Sequence, residues 1–162
     1  MLRPLTALTL SALIAAPLAL PAQEVNEGRR LAEAMFDSLD ASNRGFVDMG
    51  EYSTFGSDIF FSIDTDQDTK ISLDEFMSWD FGMRLVAEDR DRVAAYETAL
   101  RVVFAFWDRN GDGLISRTEH RQSLAQDFQR ADIDNDAVLS RDEFLSGFSV
   151  NVALRAALDT TL

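Results

Sequence analysis

Four twelve-residue windows, each opening on Asp and closing on Glu, constrain this chain more than anything else in it. They run Asp40–Glu51, Asp64–Glu75, Asp108–Glu119 and Asp132–Glu143. The starts lie 24 residues apart within each half, and the halves repeat at an offset of 68. At that offset Phe36 matches Phe104, Gly45 matches Gly113, Phe60 matches Phe128, and Phe76 matches Phe144. Self-similarity this regular marks an internal duplication of a two-loop unit. The windows hold 16 of the chain's 28 acidic residues, so the acid is gathered into loops rather than spread as a solvated coat.

Each window has the chemistry of a cage for a hard cation. Side-chain oxygens come from positions 1, 3 and 5, a backbone carbonyl from position 7, a water-mediated contact at 9 and two oxygens from Glu at 12. The terminal Glu brings coordination to the seven ligands calcium accepts, whereas magnesium prefers six at shorter distances. An apolar residue at position 8 lets two loops join through a short β-bridge; here it is Val47, Ile71, Ile115 and Leu139.

Loop 3 offers Asp108, Asn110, Asp112, the carbonyl of Leu114, and Glu119, with Ser116 at the water position and Gly113 where positive φ is needed. Loop 2 offers Asp64, Asp66, Asp68, the Lys70 carbonyl and Glu75; loop 4 offers Asp132, Asp134, Asp136, the Val138 carbonyl and Glu143. Both place a residue with a Cβ, Thr69 or Ala137, where glycine is preferred. The expected cost is roughly 1–2 kcal/mol, more for β-branched Thr, which weakens binding about tenfold without abolishing it. Loop 1 keeps Asp40, Asp48 and Glu51 but has Ser42 at position 3 and Arg44 at position 5. Arginine has no acceptor and puts a cation beside the ion, so loop 1 is expected to be a weak site or a structural partner.

These segments resemble EF-hands. The resemblance spans most of the chain and implies an all-α fold: a compact helical bundle with four 12-residue loops in two duplicated halves. It also implies about three calcium ions as cofactor, and a protein or peptide target if the chain acts as a sensor. Only 12 residues separate Glu51 from Asp64, and 12 separate Glu119 from Asp132. That length makes one shared helix of about 18 Å, which puts consecutive loops at opposite ends. Loops 1 with 4 and 2 with 3 are then the expected partners. The spacing is similar to that of lanmodulin, an exported bacterial protein that prefers lanthanides. Its prolines at position 2 are absent here, where Ala41, Thr65, Arg109 and Ile133 stand. Its Asp at position 9 appears only as Asp48, so calcium is the expected ion.

Between and around the loops, periodicity predicts helices over Val25–Leu39, Tyr52–Ile63 and Asp142–Leu158. Residues 76–107 are helical with a charged middle, Glu88 to Arg92, which is either a helix face or a turn. The N-terminus carries Arg3, an apolar run from Leu5 to Leu20 interrupted by Pro17, and small residues ending at Ala22. It reads as a signal peptide, too short to span a bilayer. The expected layout is therefore a leader at 1–22, a first half at 23–80, a connecting segment at 81–107 and a second half at 108–162. The mature chain is expected in the periplasm or secreted, and off the membrane.

Composition excludes much else. A net charge of −13 argues against nucleic acid. The absence of Cys removes disulfides, thiolate metal sites and cysteine nucleophiles, and a single His, His120, removes most hydrolase triads. Carboxylate pairs such as Asp74 with Glu75 are absorbed by the loops, so no enzyme activity is expected.

Overall fold

A computed structural model describes residues 27–158. The leader assigned to 1–22, together with Val25 and Asn26, lies outside the described residues. Helix α1 (Glu27–Leu39) leads into loop 1, whose short strand β1 (Phe46–Asp48) runs directly into α2 (Met49–Ile63). Loop 2 carries β2 (Lys70–Ser72), followed by α3 (Leu73–Ser78), α4 (Arg84–Asp89) and α5 (Val93–Trp107). Loop 3 carries β3 (Leu114–Ser116) and leads into α6 (Arg117–Ala131). Loop 4 carries β4 (Val138–Ser140), then α7 (Arg141–Gly147) and α8 (Ser149–Leu158). The fold is all-α, with strands confined to the loops. Among the described residues no helix is long and apolar enough to cross a membrane.

Helix α2 is 15 residues, about 22 Å, and it holds loops 1 and 2 apart as the spacing predicts. The loops instead pair across the halves: β1 with β4 and β2 with β3, both antiparallel. Val47 lies opposite Leu139 and Ile71 opposite Ile115, and all four are fully buried.

The duplication gives the core an approximate two-fold symmetry. Phe36 on the helix entering loop 1 meets Phe144 on the helix leaving loop 4, at 5.8 Å between ring centres. Its counterpart pair, Phe104 and Phe76, meets at 5.6 Å. Tyr52 packs edge-on to Phe128 at 5.5 Å, and the residue at the same place in the second half, His120, packs edge-on to Phe60 at 5.3 Å. His120, which departs from the apolar residue usual after the loop, is therefore a core ring. Helices α2 and α6 cross closely at Gly56, where a Cβ would collide with Leu124 Cδ1.

One helical expectation changes, and one left open is resolved. Asp142–Leu158 is not one helix: α7 ends at Gly147 and Phe148 takes extended backbone before α8. Tertiary contacts impose the break. Gly147 passes against the Ala131 backbone with no room for a Cβ, Phe148 stacks on Phe144 at 5.4 Å, and the Ser149 hydroxyl donates to Asp127 of α6. The charged stretch before α5 is a turn with Asp91 at φ 54°. Arg90 and Arg92 donate to the carbonyls of Leu158 and Ala157 at 3.1 and 3.0 Å, satisfying the C-terminal end of α8.

Candidate metal centres

All four loops follow one backbone plan. Position 4 is left-handed in each, at Asn43 (φ 52°), Gln67 (61°), Gly111 (73°) and Asn135 (59°). Position 6 is left-handed too, at Gly45 (83°), Thr69 (74°), Gly113 (83°) and Ala137 (67°). Thr69 and Ala137 thus adopt the strained geometry expected of them. What holds it is the position-1 carboxylate: Asp64 Oδ2 accepts from Thr69 N, and Asp132 Oδ2 from Ala137 N, each at 3.1 Å.

The structure brings the expected ligands together. In loop 2 oxygen atoms of Asp64, Asp66 and Asp68 lie within 4.8 Å of one another, and in loop 4 those of Asp132, Asp134 and Asp136 do the same. Asp66 accepts from Asp68 N at 3.0 Å and Asp68 from Lys70 N at 2.8 Å, turning the chain so that the carboxylates face one volume. Loop 4 repeats this with Asp134 accepting from Asp136 N and Asp136 from Val138 N. Loop 3 matches with Asp108 accepting from Gly113 N, Asn110 from Asp112 N and Asp112 from Leu114 N. The carbonyl residues Lys70, Leu114 and Val138 each begin a strand, so the ladders fix their place.

The closing glutamates are anchored at both oxygens. Glu75 Oε1 accepts from Thr65 N at 2.9 Å, and Oε2 from the Ser72 amide and hydroxyl at 2.8 Å. Glu119 bridges Arg109 and Asn110 to Ser116, and Glu143 bridges Ile133 to Ser140, in the same way. Burial acts to raise the Glu75 pKa, but the hydrogen bonds from Ser72, Asp66 and Thr65 outweigh it and hold the carboxyl down at about 2. The Ser116 hydroxyl lowers Glu119, and the Ser140 hydroxyl lowers Glu143. All three carboxylates are ionised wherever a metal could compete for them.

Ser72, Ser116 and Ser140 stand at position 9, where a water-mediated contact is expected. Each is also the N-cap of the following helix in a reciprocal capping box with the closing Glu. The signal was legible as Ser-x-x-Glu ahead of a helix. Binding and helix initiation therefore share one side chain.

Loop 1 departs from the plan where Arg44 stands. Its Nη2 donates to Asp48 Oδ2 and Glu51 Oε2, both at 2.6 Å, while the guanidinium lies 4.4 Å from the centre of the Phe46 ring. Arg44 holds Asp48 below the usual carboxylate range, and its own pKa is raised in return. Asp40 is engaged by the amides of Arg44 and Gly45, and the Ser42 amide donates to Glu51 at 3.2 Å. The side chain at position 5 is a cation bound by the acids that would otherwise face one.

The fit to a divalent metal rests on donor chemistry and one orphaned atom. Asp64 is 4 % exposed, and its Oδ1 is buried with no hydrogen-bond partner in the protein. A buried carboxylate oxygen without a donor is costly, and a coordinated cation is the partner that satisfies it. An all-oxygen set suits calcium, magnesium or manganese rather than zinc or copper.

Residues 100–122, running from α5 through loop 3 into α6, match the family model of the EF hand. The chain is also 26 % identical, over 85 % of its length, to calcium-dependent protein kinase 3 of Oryza sativa subsp. japonica. It spans 27 % of that protein, about a quarter of its length. The match falls on one of four loops that share the same plan, each flanked by helices and paired through a strand at position 8, an all-α arrangement consistent with that of EF-hand proteins.

Proposed function

We propose that this chain is an exported calcium-binding protein that takes up ions in loops 2, 3 and 4 and relays the change to its helices. The convergence of three carboxylates within 4.8 Å in loop 2, with the buried Asp64 Oδ1 left unsatisfied, carries the reading. Asp64, Asp66, Asp68, the Lys70 carbonyl and Glu75 would hold one ion. Asp108, Asn110, Asp112, the Leu114 carbonyl and Glu119 would hold a second, and Asp132, Asp134, Asp136, the Val138 carbonyl and Glu143 a third. The ion supplies positive charge and coordination that bind the carboxylates across each loop. Loop 1 serves as the structural partner of loop 4, because Arg44 occupies its acids. The calcium dependence in the name of the related kinase accords with this reading; the kinase's catalysis is not part of it, and the chain acts by binding. Export rests on the basic, apolar and small-residue order of positions 1–22.

The sensor form of this reading is supported by an apolar face between α5 and α8. Val102, Phe106, Ile133 and Val152 are 60 %, 59 %, 71 % and 40 % exposed and border a cavity of about 460 Å³. Calorimetric titration with calcium, magnesium and a lanthanide tests the core claim. About three calcium sites silent to magnesium are expected. No calcium heat and no calcium-dependent change in helicity would overturn it, and a lanthanide preference of several orders of magnitude would replace calcium as the ion. A calcium-dependent rise in hydrophobic-dye fluorescence marks a sensor; compaction without a rise marks a structural role.

A further inference from the structure

Helices α2 and α6 enclose a second cavity, of about 230 Å³, lined by Ser57, Phe60, Phe61, Arg117, His120 and Arg121. Its chemistry is opposite to that of the rest of the molecule. In a chain with 28 acids, neither Arg117 nor Arg121 has a carboxylate partner among the described residues. The Arg117 guanidinium lies instead over aromatic rings, 4.7 Å from the centre of Phe61 and 5.8 Å from that of Phe60. Phe61 is 58 % exposed. His120, in the wall of the cavity, is only 2 % exposed, yet its Nε2 is buried with no hydrogen-bond partner.

The duplication supplies an internal comparison. At the offset of 68 the equivalents of Arg117, Arg121 and Phe61 are Met49, Ser53 and Gln129. Where His120 stands, the first half has Tyr52, covered by Phe148 at 6.0 Å. The two ends of the α2–α6 crossing are therefore related by the duplication, and one end alone carries two arginines, an open ring and an unsatisfied imidazole nitrogen. Packing of the two-fold core does not require them.

We propose that this cavity binds a small aromatic carboxylate, at a site that uses Arg117 of loop 3 but none of the proposed ion ligands. The two guanidiniums take the carboxylate through charge-assisted hydrogen bonds, and the ring lies against Phe61. Two aromatic walls favour a ring-bearing acid over a bare phosphate, which has no ring to set against them.

The test is a titration of the full chain in saturating calcium with benzoate, with benzamide and inorganic phosphate in parallel, read by amide NMR shifts and by calorimetry. Saturable one-to-one binding of benzoate is expected, with shifts centred on Phe61, Arg117 and His120. Benzamide and phosphate should bind at least about tenfold more weakly, because each lacks one half of the recognition. Arg121 is exposed, so Arg121→Gln should weaken benzoate about tenfold with little effect on the melting temperature. Arg121→Lys should restore part of the affinity. Absence of saturable binding, equal binding of benzamide, tighter binding of phosphate, or an Arg121→Gln variant with unchanged affinity would each overturn the proposal.

Discussion

Thr69 stores strain that a single substitution releases. It sits at φ 74°, a region that L-residues enter at a cost of roughly 1–2 kcal/mol and β-branched ones at more. Its side chain is exposed, so removing it costs little packing. Glycine at this place relieves the strain but adds roughly 0.5–1 kcal/mol of unfolded-chain entropy. Thr69→Gly should therefore stabilise the protein by about 1 kcal/mol, raising the melting temperature by roughly 3 °C. The reciprocal change is available in loop 3. Gly113 has φ 83° and nothing within 4 Å of an added Cβ, so Gly113→Ala reports the backbone cost with no steric contribution. It should destabilise by about 1 kcal/mol.

The contacts that impose the geometry are protein to protein: Thr69 N on Asp64, and the β2–β3 ladder immediately after. The strain therefore belongs to the fold and not to the ion. Urea melts in chelator should show both shifts, and the calcium affinity of Thr69→Gly should move less than about threefold, short of the tenfold expected if the strain were relieved on ion release. Unchanged stability in chelator with a tenfold gain in affinity would refute this assignment. So would a destabilised Thr69→Gly.

Three further outcomes follow from the same contacts. Arg44→Gln removes the cation bridging Asp48 and Glu51, so calorimetry should gain one weak calcium site, whereas an unchanged stoichiometry would show that Arg44 is not what blocks loop 1. Gly56→Ala drives a methyl into Leu124 at the α2–α6 crossing and should cost about 1–3 kcal/mol in a denaturant melt, of which Leu124→Val in the same chain recovers most. Asp127 is 1 % exposed, and burial raises its pKa against the opposing pull of Ser149 and Arg130. The native state thus keeps a proton the unfolded chain has lost. Its contribution to stability is full below the unfolded carboxylate pKa and is lost as pH rises through the raised native value, a slope that Asp127→Asn should remove from melts recorded in chelator.

The loops and their pairing were legible because spacing alone carries them. Twelve residues admit one helix and nothing else, which sends Val47 to Leu139 and Ile71 to Ile115. The break after α7 was not legible, because nothing in the periodicity of Phe144, Leu145 and Phe148 marks one. It depends on Gly147 meeting Ala131 and Ser149 meeting Asp127, partners far along the chain. The role of Arg44 was half visible: a cation at position 5 announced a conflict, but only the side-chain geometry shows it resolved by capture of Asp48 and Glu51. His120 holds after loop 3 the place that Tyr52 holds after loop 1, and the duplication shows both as core rings.

The cross-pairing also settles how so much acid is tolerated in so few residues. Counting charged side chains within each window, loops 1 to 4 carry −2, −4, −1 and −4. Each half therefore holds one strongly and one weakly acidic loop, in the same order. The ladders join β1 to β4 and β2 to β3, so every pair contains one of each, totalling −6 and −5. Pairing like with like would have set loops 2 and 4 together at −8, where mutual repulsion opposes the ladder most. The weak member of each pair is weak mainly because it holds three acids where its partner holds five; its basic residues are Arg44 in loop 1, and Arg109 with Arg117 in loop 3. In loop 1 that arginine enters the cage and takes the place of an ion. In loop 3 Arg117 points instead onto Phe60 and Phe61, leaving the cage to Asp108, Asn110, Asp112 and Glu119. An arginine at position 5 thus takes up the acids of its own loop, whereas one at position 10 turns away from them.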